Sequence, residues 1–494
     1  MDADVIIIGS GMGGATLAAR LAPTGRKILI LERGEHLRPS PSDRDAKAIF
    51  GKGVFRPKET WLDGQDQPFN PGNYYNVGGN SKFYGAALIR YRTNDFDAFT
   101  HAGGTTPGWP IRYTELEADY QAAEELYQVR GRATDDPTEP EHSGAYPHAP
   151  VPDEPDMAAL RARLRAAGMH PSPIPLGVDL PKWLAAGTTT WDAYPNTCGA
   201  KMDAESCGLK AALAHENVTL KTGCLVERLE SDPQGHVTAA VLESGKRLSA
   251  PVFVVATGAV QTAALLLRSA NDNCPNGLAN RSDQVGRNFM NHNCSAVLAL
   301  HPLRKNRSIY QKTLMLNDFY RGTNSRPPLG NVQMLGKITG PILAATTPIP
   351  RWMAHWIATR SFDFYAMSED LPNPESRVTL KNGQIKLDWQ RSNWEAHQQL
   401  VRELKRVLRR VGFPIVLSQA FDRRTPSHQC GTARMGEDPM TSVVNSYCKG
   451  HDHANLYIVD ASVLPTSAAV NPALTIAALA LRAGRHISET EFAA

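Results

Sequence analysis

The stretch VIIIGSGMGGATLAARL, Val5 to Leu21, decides the fold. Val5 to Ile8 read as a strand, Gly9 to Gly14 as a glycine-rich turn, and Ala15 to Leu21 as a helix with apolar positions at helical spacing; a second strand follows at Ile28 to Leu31. Gly9, Gly11 and Gly14 form a GxGxxG between strand and helix. Glycine there permits the tight turn, lets a pyrophosphate approach the backbone amides and allows close helix packing. The pyrophosphate charge then meets the positive end of the helix. Glu32 closes the second strand 18 residues after Gly14, close to where an acidic side chain holds ribose hydroxyls. The competing reading of Glu32 is a surface acid paired with Arg33. Strand, spacing and acid agree on a dinucleotide site in a Rossmann-like α/β domain, without saying which dinucleotide.

Outward from that turn, a chain of 494 residues that is 42% hydrophobic is long enough for a large core and more than one domain. Its 53 basic and 49 acidic residues nearly cancel, and no basic run offers a footprint for nucleic acid. A small neutral or weakly charged partner fits better. The seven cysteines are scattered, with no CxxC and no cluster at metal-ligand spacing, and read as free thiols in a reducing compartment. No apolar run approaches the roughly 20 residues needed to cross a bilayer, and no signal segment is visible at the start. A cytoplasmic protein is expected, although a partner subunit could carry such a chain across a membrane.

Between His36 and Tyr75 prolines and polar residues predict loop, lying over the cofactor. Residues 129–156 hold six prolines among acidic and small residues, a composition expected of a linker, mobile lid or oligomer arm. Segments at Val218–Lys221, Cys224–Glu230, Val237–Glu243 and Val252–Ala256 read as a hairpin feeding a buried strand. Asn382-Gly383 predicts a hairpin between Val378–Leu380 and Ile385–Leu387. The amphipathic stretch Trp394–Val411 follows, with Ser392 or Asn393 as its N-cap. Together these suggest a mostly antiparallel substrate-side sheet with a helix on its back.

Several longer segments carry a resemblance. HQCGTARMG (His428 to Gly436), DPMTSVVN (Asp438 to Asn445) and NLYIVDASVLPTSAAVNPALTIAALALR (Asn455 to Arg482) closely resemble the closing segment of glucose-methanol-choline oxidoreductases. NYYNVGGNSKFYGAAL (Asn73 to Leu88) resembles that family's flavin-contacting loop, and GAVQTAALLLRSA (Gly258 to Ala270) its second signature, with Ala263 and Ala270 as departures. VGRNFMNH (Val285 to His292) and NPESRVTL (Asn373 to Leu380) also look like family segments. The resemblance implies FAD, held by Gly9, Gly11, Gly14, Glu32, Gly78, Gly79, Asn80, Ser81, Val226, Asp460, Ala461 and Pro472. Phe83 stands where relatives with covalent flavin have histidine, which implies non-covalent FAD. A discontinuous FAD-binding domain (1–95, 190–295 and 425–494) and a substrate-binding domain (96–189 and 296–424) are expected.

Oxidising an alcohol requires a base near the oxygen and a hydride acceptor near the carbon, and flavin N5 is that acceptor. His428 matches the family's histidine. An imidazole with an unperturbed pKa of roughly 6.5 is a suitable base, and such catalysis is worth roughly 10²–10⁴ in rate. Asn471 takes the family's second position, where its amide can bond the substrate oxygen but cannot act as a base. Asn471-Pro472 also reads as a helix start, and Asp460 as an N-cap. His292 and Asn291 read as structural supports. Trp352, His355, Trp356, Phe362, Phe364 and Tyr365 read as pocket, core or subunit contact, with the last two favoured, and Tyr84 is expected near the flavin.

The resulting expectation is oxidation of a sugar, glycoside, polyol or other alcohol to a carbonyl, with oxygen, a quinone or a redox protein as electron acceptor. No metal, no nucleic acid and no direct membrane span are expected, and an oligomer is allowed. The alternative is an FAD-containing lyase of the same family.

Overall fold

A computed structural model describes residues 1–493 except 102, 134, 324, 325, 423, 426 and 427. Its centre is a parallel sheet of five strands in the order Leu456–Ile458, Val252–Val255, Val5–Ile8, Ile28–Leu31 and Val218–Lys221. Val5–Ile8 and Ile28–Leu31 are buried throughout, as strands covered on both faces must be, and their β-branched and leucine side chains suit that setting. The helix predicted from Ala15 begins earlier, at Met12, inside the glycine turn. It packs against the C-terminal helix Ala473–Thr490, so two distant parts of the chain build one layer.

A second sheet of six strands is antiparallel throughout. Its order is Ile415–Ala420, Asn293–Leu300, Ser361–Ser368, Asn331–Met334, Leu314–Leu316 and Ser172–Pro173. The helix Trp394–Arg410 backs it through Leu400, Leu404 and Leu408, with His397 bonded to the hydroxyls of Ser295 and Ser368 on neighbouring strands. Its N-cap is Asn393 in the left-handed conformation, with no side-chain capping bond, while the Ser392 hydroxyl donates to Asp370. Ala296, Leu298 and Leu300 form a satellite cluster with Leu343, Ala354 and Ala358 of two short helices.

Two expectations are corrected. The hairpin forms as Arg377–Lys381 and Gln384–Asp388, with Asn382 and Gly383 both at positive φ as a type I′ turn requires. It does not join the substrate-side sheet. Lys386 pairs in parallel with Leu62, and the hairpin extends a four-stranded sheet with Trp61–Asp63 and Pro68–Phe69. Period-2 patterning shows which side chains of a hairpin are buried, not which edge receives it.

Residues 129–156 are also unlike a free lid. Before the helix Pro155–Ala166 the described part carries only isolated bridges, yet it is pinned by buried charge. Arg92, fully buried, donates to Asp136 at 2.6 Å and lies 3.3 Å from Glu139, while Tyr146 donates to Glu139. Charged groups taken out of water must be paired, so a segment poor in apolar residues is anchored through its acids.

Candidate active site

The glycine-rich turn is shaped by close approach. A Cβ on Gly13 would lie 1.6 Å from the carbonyl oxygen of Val459, and one on Gly14 would lie 2.1 Å from that of Gly9. A Cβ on Gly11 would meet nothing within 4 Å, because Gly11 faces a cavity. The first turn of the helix Met12–Leu21 carries no side-chain cap and opens onto that cavity, as an anion cradle does. Glu32 is buried at its wall. One of its oxygens accepts from the amide and hydroxyl of Ser10 at 3.0 and 2.6 Å, the other from the Gly34 amide at 2.9 Å. Burial pushes its carboxyl up and these donors pull it back. Glu32 is therefore no surface partner of Arg33, whose guanidinium instead stacks 3.9 Å above the Tyr75 ring.

Gly78, Gly79, Asn80 and Ser81 also line the cavity, ordered by their own bonds: Ser81 donates to the Gly78 carbonyl and Asn80 accepts from the Tyr74 amide. Asp460 accepts from Gly258 N, Thr262 Oγ1 and Ser462 N, so one carboxylate caps the short turn Ala461–Val463 and joins it to the helix Ala259–Arg268. Val226, Ala461 and Pro472 complete the predicted wall. Gly14 is the predicted residue absent from it, since it packs helix against turn.

His428 and Asn471 stand at the same cavity, with Asn471 Nδ2 3.1 Å from His428 Nε2. His428 adopts a φ of 67°, uncommon for a side-chain-bearing residue and characteristic of functional sites. Asn471 and Pro472 begin the helix Ala473–Thr490, whose uncapped first turn lies at the wall. Phe83 is buried there, stacked on Tyr74 at 3.7 Å, and Tyr84 lines the wall while donating to the Met202 carbonyl. The aromatic cluster around Trp352 lines no part of this cavity: Trp352 is 69% exposed, and Phe362 and Phe364 lie in the core.

Sequence reasoning missed several residues. His292, read as a structural support, lies with its Nδ1 2.8 Å from His428 Nδ1. Gln333 Nε2 lies 2.9 Å from Asn471 Oδ1. Gln261, Arg268 and Gln429 line the cavity from within segments quoted for the resemblance, which did not single them out. Asn73 does so too, and its Oδ1 is buried without a partner, an acceptor left for a ligand N–H. Burial holds the His428 imidazole well below its usual range, with His292 and Lys312 adding to the effect, so it is neutral at physiological pH.

An open glycine-lined helix terminus, a buried carboxylate and an unpaired amide oxygen on one wall fit a dinucleotide bearing a hydrogen-bonding ring. The family model described as FAD dependent oxidoreductase matches residues 4–416, and that described as GMC oxidoreductase matches 372–480. A 6'''-hydroxyparomomycin C oxidase of Streptomyces lividus is 30% identical, covering 98% of this chain and 91% of its own. A paromamine 6'-oxidase of Streptomyces fradiae is 28% identical with the same coverage. The crystal structure of a pyridoxine 4-oxidase from Mesorbium loti shares the fold, with a TM-score of 0.68 at 20% identity over 98% of this chain and 99% of that one.

The chain is therefore an FAD-dependent oxidoreductase. It belongs to the glucose-methanol-choline family, and its reaction is oxidation of a hydroxyl group to a carbonyl.

Proposed function

We propose that His428 is the base for this oxidation and Asn471 the amide that orients the substrate oxygen. The observation that carries the reading is their convergence at one cavity wall, 3.1 Å apart, from segments 43 residues apart in sequence. His428 takes the hydroxyl proton at Nε2. Asn471 Nδ2, beside that nitrogen, donates to the same oxygen. FAD, when bound, supplies the acceptor for the carbon-bound hydride. The N-terminus of the helix Ala473–Thr490 favours negative charge at the wall it faces. Gly11, Glu32, Gly78, Gly79, Asn80, Ser81, Val226, Asp460, Ala461 and Pro472 hold the cofactor, with Gly14 supporting the turn. Phe83 beneath Tyr74 suits non-covalent binding.

The substrate class we infer is a polar alcohol such as a sugar, glycoside or polyol. Relatives named as a fructose dehydrogenase large subunit and a 2-methyl-1,2-propanediol dehydrogenase, 26% and 27% identical, support it. Electrons then leave to oxygen, a quinone or a redox protein. Seven free thiols suit a reducing compartment such as the cytoplasm, and no described helix is long and apolar enough to cross a membrane. Strands at Val5–Ile8, Ile28–Leu31, Val218–Lys221, Val252–Val255 and Leu456–Ile458 support the proposed division into 1–95, 190–295 and 425–494 against the remainder, with the hairpin 377–388 crossing it.

Anaerobic addition of monosaccharides, glycosides, polyols and simple alcohols to the FAD-loaded protein tests this. A polar alcohol should bleach the flavin. Bleaching confined to apolar alcohols would overturn the substrate class.

A further inference from the structure

Resting on the reading of His428 as base, we propose that His292 is a positioning residue that holds His428 in the tautomer protonated at Nδ1, leaving the Nε2 lone pair free to accept the substrate proton.

The argument runs from both ends of a buried chain. His292 Nε2 lies 2.8 and 2.9 Å from the carbonyl oxygens of Ser467 and Ala468, which can only accept, so Nε2 carries a proton. Burial holds His292 neutral, with a pKa lowered to about 4, so its Nδ1 is a lone pair. His428 Nδ1, 2.8 Å away, must then donate. A neutral His428 that donates at Nδ1 has its lone pair at Nε2.

The other end gives the same answer independently. Arg92 pairs with the Asp136 carboxylate, an acceptor, which receives Asn317 Nδ2 at 2.6 Å. Asn317 thus presents its oxygen to Asn331 Nδ2 at 2.7 Å, and Asn331 Oδ1 receives Gln333 Nε2 at 3.1 Å. The second hydrogen of that nitrogen goes to Asn471 Oδ1. Asn471 can therefore offer only its NH₂ group to His428 Nε2, which must be a lone pair. The charged groups that act on the histidine pair, Lys312 on His428 and Glu369 on His292, are themselves engaged, Lys312 with Asp192 and Glu369 with Thr106 and His101, as is Asp370 with Ser392 and Trp389.

Ring-¹⁵N histidine labelling of the FAD-loaded enzyme reads the tautomer directly, with His428 assigned by its disappearance in His428→Ala. We expect His428 protonated at Nδ1 and not at Nε2; the reverse would overturn the proposal without any variant of His292. In His292→Leu the His428 Nδ1–H loses its acceptor and only Asn471 still favours the Nε2 lone pair, so we expect a detectable Nε2-protonated population and kcat lower by about tenfold, the equivalent of one net hydrogen bond, at little change in KM. A His292→Leu enzyme with wild-type kcat, beside an inactive His428→Ala, would overturn the positioning role alone. Turnover surviving in His428→Ala would instead overturn the base assignment.

Discussion

Gln333 Nε2 lies 2.9 Å from Asn471 Oδ1 and 3.1 Å from Asn331 Oδ1, so one buried amide nitrogen uses its two hydrogens to tie the amide beside His428 to Asn331. Gln333→Met keeps the volume and removes the donor. We expect kcat to fall about tenfold, the equivalent of one net hydrogen bond, with FAD content unchanged. Steady-state kinetics check this, and a kcat within twofold of wild type would count against the chain.

His428→Ala should lower turnover by at least about 10²-fold while the protein still binds FAD. Asn471→Ala should cost less, because it removes an orienting donor and not the proton acceptor. Rapid-mixing reduction under anaerobic conditions ranks the two. An Asn471→Ala enzyme slower than His428→Ala would overturn the assignment of His428 as the base.

Gly11→Ala and Gly13→Ala separate the cradle from the core. The methyl of Gly11→Ala enters open space at the cavity wall, so unfolding of the apoprotein should change by no more than about 0.5 kcal/mol while FAD affinity drops. The methyl of Gly13→Ala meets the Val459 carbonyl at 1.6 Å and should destabilise the fold itself by about 1–3 kcal/mol. Denaturant unfolding with and without FAD tells them apart.

His397 is buried and neutral, its pKa lowered to about 3, and does not line the cavity. Below the unfolded value of about 6.5 the unfolded chain binds a proton that the folded chain refuses, so this stability is present above pH 6.5 and lost on acidification. Asp95 and Asp370, raised by burial to about 7 and about 6, act in the opposite sense and lose stability as pH rises from about 4. A comparison isolates the histidine: the stability advantage of wild type over His397→Gln should shrink by about 1.4 kcal/mol per pH unit below 6.5. A gap constant with pH would contradict its neutral burial.

Acid precipitation should release FAD into the supernatant, because Phe83, stacked on Tyr74, offers no nucleophile for a flavin bond. Flavin fluorescence in the pellet would show a covalent link elsewhere.

What was legible in the sequence was what short spacing can encode. Val5–Ile8, the glycine turn and Ile28–Leu31 follow from sterics and side-chain period within a few residues, and Glu32 from its place at a strand end. His428 and Asn471 were legible through the resemblance of the segments around them. His292 was not, because nothing near it in sequence distinguishes a histidine bonded to His428 from one filling a core.

By itself, then, the sequence determined the dinucleotide turn with its flanking strands and helix, and through the resemblance it singled out His428 and Asn471 as candidates. Only the tertiary structure decided that the 377–388 hairpin joins Trp61–Asp63, that acids anchor residues 129–156, and that a polar chain from Asp136 to Ser467 runs through Asn471, His428 and His292. The reason is physical. Side-chain period reports which face is buried, whereas the partner of a buried donor is set by chain topology across long separations, 181 residues between Asn317 and Asp136 and 376 between Tyr91 and Ser467.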